Sequence, residues 1–122
     1  MVAGLNPGGE GHALWPEMET DPADISMFKS RFSAFLPTAS DLAGELRSRG
    51  FDTVMITGTN TNVCCESSAR DAAMMDFKTI MVSDANAALT DEAHMTTLIT
   101  FVQNFGDVRC ADELIRMIGF GK

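Results

Sequence analysis

The chain is short of positive charge. Nine Lys and Arg stand against seventeen Asp and Glu, for a net charge of −8. Nucleic acid and anionic membrane surfaces both select for a basic footprint, so neither is an expected partner. No apolar run approaches the ~18 residues of a membrane span. The opening "MVAGLNPGGEGH" lacks the basic and apolar regions of a secretion signal. A cytoplasmic location is therefore expected. Cysteine is scarce and odd in number: Cys64, Cys65 and Cys110. There is no CxxC pair and no histidine cluster, so we expect no metal site and no cofactor. Free thiols in a reducing compartment are the simplest reading. A Cys64–Cys65 redox pair is disfavoured, because the ring is strained and the two side chains diverge on a helix.

What is present suits one packed domain, residues 1–122, with 45% hydrophobic residues. Residues 1–24 are rich in Gly, Pro and acid and read as an irregular loop, anchored by Leu14 and Trp15. Residues 25–122 read as an α/β core. A short extended piece is expected over Ile25–Lys29. A helix follows from about Thr38 or Ser40, with Leu42 and Leu46 on one stripe and Gly50 just past its end.

"TVMIT", residues 53–57, is short and apolar, as a strand buried on both faces would be. A polar turn, a helix over 63–75 and a second strand, "KTIMVSDA", complete a βαβ unit. Thr90 suits the cap of a third helix, whose apolar positions run Met95, Leu98, Ile99, Val102 and Phe105. "DVRCA" reads as a third strand and "DELIRMI" as a final helix. The nine methionines, Met74 and Met75 among them, are expected in the core. His12 is assigned to a loop, and His94 to a helix beside polar neighbours, neither with a role. The fold class is α/β with a short parallel sheet.

In open α/β sheets, ligands bind beyond the carboxyl ends of the strands. "GTNTNVCCESSARDA", residues 58–72, lies at such an end. A cysteine in the first turn of a helix meets unpaired amides and the positive end of the dipole, which favour thiolate and can hold an oxyanion. A cysteine there is equally a small core residue, and the local pattern leaves both readings open. Cys65 points about 100° away around the helix axis, so at most one of the pair faces the site. Glu66, Arg70 and Asp71 read as packing and charge pairing on the helix.

The stretch "VMITGTNTNVCCESSARDAAMMDFKTIMVSDANAALTDEAH" resembles the nucleophile region of the isochorismatase-like cysteine hydrolases. That superfamily includes nicotinamidases and carbamoylsarcosine, ureidoacrylate and biuret-type amidohydrolases. The resemblance covers about Phe28 to the C-terminus, and "FKSRFSAF" is similar to the family's "K-x-x-x-SAF" segment. It implies a Rossmann-like three-layer α-β-α fold and a small amide, carbamoyl or related substrate or ligand. It makes Cys64 the nucleophile and Lys29 its charged catalytic partner. It places a cis peptide between Thr59 and Asn60, an oxyanion hole at the amides of Asn60 and Cys64, and loop support at Thr61 and Asn62. Metal ligands known from some members are not recognisable.

The family's catalytic aspartate closes its first strand, and no apolar strand followed by Asp precedes Lys29 here. Asp21 and Asp24 lie in a Pro-containing loop; Glu17 or Glu19 is a remote substitute. The chain reads as lacking the N-terminal strands of the family, which puts unaided turnover in doubt. The alternative is a non-catalytic module for ligand binding or assembly. Loss of the first strand would leave "TVMIT" with an open apolar edge. We expect that edge to be covered, by residues 1–28 folded back or, preferably, by a second copy in a homo-oligomer.

Overall fold

The computed structural model of the protein describes residues 6–119. Its elements are α1 (Leu42–Ser48), β1 (Thr53–Thr59), a π-helical turn (Thr61–Cys65), α2 (Glu66–Met74), β2 (Lys78–Ala87), α3 (Asp91–Asn104), β3 (Asp107–Arg109) and α4 (Ala111–Gly119). The three strands form one parallel sheet in the order β1-β2-β3. Fold and chain order agree with the α/β reading.

Local chemistry explains the boundaries. Gly50 follows α1 at φ 76°, and the Phe51 amide reaches back to the Leu46 carbonyl at 3.0 Å, which closes the helix in a Schellman turn. α2 ends the same way with Asp76 at φ 67°, a position that a short polar side chain tolerates. Arg47 caps this end by donating to the Met75 carbonyl at 2.7 Å. Thr90 caps α3, accepting from the Ala93 amide at 3.1 Å.

The core is built on the sheet face that carries Ile56 and Met81, partners across β1 and β2. Met81 is fully buried among Cys65, Ala69, Leu98 and Phe101, which join α2 and α3 to the sheet. A second cluster places Phe35, Ala43, Ala72 and Phe77 together, with Val54 and Ile56 at its edge. Each fully buried side chain of this size contributes roughly 1.5–3 kcal/mol.

Several expectations are corrected. β1 is half-buried on the Val54 and Ile56 face only; Thr53, Met55 and Thr57 are exposed, because no described residue covers their side. Leu14 and Trp15 are exposed and anchor nothing. Ile25–Lys29 forms no strand, since no strand stands beside it to bond. Of the methionines in residues 6–119 only Met81 is buried; Met74, Met95 and Met117 are exposed on faces that nothing packs against. On α3 the inner stripe is Thr97, Leu98 and Phe101, and Met95, Ile99 and Val102 point outward. Among residues 6–28 there is no strand to cover β1, so its outer edge is open among the described residues. No described helix is long and apolar enough to cross a membrane.

Gly106 joins α3 to β3 where a Cβ would overlap the Thr79 carbonyl oxygen and stand 2.9 Å from the Phe101 ring. Both neighbours belong to the core and have little room to give. Gly106→Ala is expected to destabilise the fold by about 1–3 kcal/mol, as overpacking does. The midpoint of urea unfolding checks this; an unchanged midpoint contradicts the packing described.

Candidate functional site

The sheet delivers the cysteine pair to the carboxyl end of β1. Pairing with β2 slips between Ile56 and Gly58, where Gly58 takes φ 125°. The slip frees the Ile56 carbonyl, and Asn86 compensates. Its buried Nδ2 donates to the Ile56 carbonyl at 2.9 Å and to the Val82 carbonyl at 2.7 Å. The peptide between Thr59 and Asn60 is cis. The chain then winds into the wide turn Thr61–Cys65 and runs on as α2 without a break.

This turn converges on one acceptor. The amides of Val63 and Cys65 both donate to the Asn60 carbonyl, at 3.1 and 3.2 Å. They flank Cys64 on either side. Cys65 is 5% exposed and packs in the Met81 cluster. Cys64, one step round the helix, is half-buried and opens outward. The two thiols therefore differ in burial, Cys65 in the core and Cys64 partly open to solvent.

Electrostatics separates them further. Burial pushes the Cys65 thiol up, and a neighbouring charge on Cys64 pushes it the same way; the Lys29 ammonium pulls it down. Lys29 thus stands close enough to act on Cys65. Its segment is held by "SAF". The Ala34 amide donates to Ser68 Oγ on α2 at 3.0 Å, Ser40 Oγ donates to the Ala34 carbonyl at 2.6 Å, and the Phe35 ring is buried against Phe77 at 5.5 Å. Lys29 itself is exposed, and its Nζ donates to the carbonyls of Arg31 and Phe32 at 2.8 and 3.3 Å. Beside it opens a cleft of about 720 Å³ lined by His12, Phe28, Lys29, Arg31 and Phe32. Trp15 and Cys64 are not among its walls.

Of the remaining expected residues, Thr61 is fully buried and Asn62 is exposed. Glu66 and Arg70 pair through Oε1 at 2.5 Å, and the Arg70 guanidinium lies 4.6 Å over the Phe105 ring. Asp21 and Asp24 are spent on a local turn: the Asp24 carboxylate accepts from the Asp21 amide and the Asp21 carboxylate from the Ala23 amide, each at 2.8 Å, and Glu17 and Glu19 are exposed. No carboxylate is among the charges that act on Cys65. Among the described residues no three His, Cys, Asp or Glu side chains cluster as a metal would require.

The structure adds two residues that the sequence reading passed over. Thr61 Oγ1 and His94 Nδ1 are 2.8 Å apart, and Thr97 Oγ1 donates to Glu66 Oε2 at 3.3 Å. The signal for His94 was present: it precedes Leu98 by four residues and so shares the buried stripe of α3.

Comparison with known proteins agrees with this geometry. The isochorismatase domain model matches residues 1–113. An uncharacterised isochorismatase-family protein of Bacillus subtilis, YwoC, is 33% identical over 114 residues, spanning 90% of this chain and 59% of that protein. The ureidoacrylate amidohydrolase RutB of Variovorax paradoxus is 35% identical over 113 residues, spanning 92% of this chain and 44% of that protein. The crystal structure of an isochorismatase-like hydrolase from Alkaliphilus metalliredigens superposes with a TM-score of 0.81 at 34% identity, over 89% of this chain and 59% of that one. The chain spans about half the length of the curated relatives it matches. With its parallel sheet and a cysteine pair at the head of α2, the chain belongs to the isochorismatase family.

Proposed function

We propose that this chain carries the nucleophile side of a cysteine hydrolase acting on a small amide or carbamoyl compound. The observation that carries the reading is the division of the cysteine pair. Cys65 is seated in the core, while Cys64 is half-buried at the head of a helix, with the Lys29 charge acting on its neighbour Cys65. The similarity to the ureidoacrylate amidohydrolase supports an amide-type substrate.

In this reading Cys64 Sγ attacks the carbonyl carbon. The amides of Asn60 and Cys64 receive the oxyanion, and Lys29 is the charged partner of the nucleophile. The carbon–nitrogen bond breaks, and the leaving nitrogen takes the proton that the thiol gave up. Water then cleaves the thioester, the acid leaves, and a proton returns to sulfur. That last step needs a base, and no carboxylate is among the charges that act on Cys65. The same observation favours a second reading, a module that binds small amides or carboxylates, or assembles, without turnover.

As a partner we propose a second copy of the chain across the open edge of β1, whose seven residues carry no charge or proline. The opposite edge, β3, is short and flanked by the Asp107–Arg109 pair at 2.7 Å, which blunts it. A cytoplasmic setting, with no nucleic acid or membrane partner, completes the proposal.

Three outcomes are expected. Iodoacetamide at neutral pH labels Cys64 first, and Cys65 only after unfolding, as peptide mass mapping will show; equal labelling of the pair contradicts the division of roles. Ammonia release from a panel of small amides falls at least ~10³-fold in Cys64→Ser. Thermal stabilisation by the same amides with no ammonia released establishes the second reading instead. Light scattering detects a dimer or larger assembly, and a stable monomer at high micromolar concentration rules out the shared edge.

A further inference from the structure

We propose that His94 is a positioning residue for the Cys64 turn and acts through Thr61; this rests on the reading of Cys64 as the nucleophile. Thr61 opens the turn and is 0% exposed, so its hydroxyl has no water to bond. Its partner is His94 Nδ1 at 2.8 Å. Either ring tautomer serves, since the hydroxyl donates to a bare Nδ1 or accepts from a protonated one.

The turn needs an outside tie. Its closing bond runs from the Cys65 amide to the Asn60 carbonyl, a span of five residues at 3.2 Å. A π-type turn is wider than the α-helical ladder that follows it and lacks that ladder's regular bonding. Here α3 supplies the missing restraint at two points. His94 holds Thr61, three residues before Cys64, and Thr97 holds Glu66, two residues after it, at 3.3 Å. His94 and Thr97 are three apart and share a helix face. That face is fixed in turn, because Leu98 and Phe101 pack in the Met81 cluster together with Cys65. The start of α3 is also held, by the Thr90 cap and by the His94 amide on the Thr90 carbonyl at 3.1 Å. The side chains bracketing Cys64 are therefore bonded to one rigid element. Glu66, the carboxylate that Thr97 holds, is paired in turn with Arg70.

The test follows Cys64 alkylation by iodoacetamide at fixed pH in the full chain, with the adduct quantified by mass spectrometry. His94→Phe keeps a ring but removes the nitrogen, and Thr61→Val removes the hydroxyl. Each is expected to slow Cys64 by about tenfold, and the double variant no further, because a shared interaction is lost only once. His94→Gln, whose amide reaches the hydroxyl, is expected to restore the rate to within about twofold of the parent, whereas the shorter His94→Asn is not. A merely structural role would lower the melting temperature of all these variants alike and leave the Gln and Asn rates equal. If His94→Phe does not fold, the Gln and Asn pair decides the matter. Unchanged rates in the folded variants, or additive losses in the double variant, overturn the proposal. If the parent chain's Cys64 reacts no faster than Cys110, the nucleophile reading itself fails, which is a separate result.

Discussion

The site depends on where Cys65 is put. Its side chain packs with Met81, Ala69, Leu98 and Phe101, where the sheet, α2 and α3 meet. Neighbouring residues on a helix point about 100° apart. With Cys65 turned into the core, Cys64 is turned away from it and is half-buried. A thiol that packs well and a thiol that is presented are thus two consequences of one constraint. Burial raises the Cys65 thiol towards its neutral form, and that suits a residue that serves as a small hydrophobe.

The same cluster explains why α3 matters to a site it does not contain. Parallel strands need a crossover, and here the crossover from β2 to β3 is α3, which lies beside α2 on the sheet. Polar residues on its inner stripe meet the turn because apolar residues on the same stripe meet the core. Thr61 and Glu66 find partners there, and each partner lies more than thirty residues away in sequence. Arg70 closes the arrangement by pairing with Glu66 and lying over Phe105, so charge and packing hold α2 to the end of α3 together.

What was legible in the sequence was whatever depends on near neighbours. The βαβ order, the Thr90 cap and the Gly50 stop rest on residues within one or two turns, and the structure has them where the pattern puts them. What was not legible depends on distant coverage. "TVMIT" reads as a strand buried on both faces, yet burial of its second face requires a layer that no described residue provides. Met74 and Met95 are apolar on elements of correctly read type, but they face the uncovered side. His94 looked idle because its partner stands 33 positions upstream, beyond the reach of any local window. Trp15 and Leu14 illustrate the reverse error: apolar residues in a loop do not anchor it unless a surface is available to receive them.

The open edge of β1 lies beside the turn that carries Cys64. The turn leaves β1 directly, so a strand lying against that edge would run only about 5 Å from it. If the covering strand is parallel, its carboxyl end comes beside Asn60 and Cys64, which is where ligands gather in sheets of this kind. If it is antiparallel, as two-fold pairing of two copies would make it, its amino end stands there instead. The orientation of the cover therefore selects which side chains face the thiol. Lys29, on a segment held by Ser68 and a buried Phe35, is one charge that already acts on Cys65 from outside the sheet.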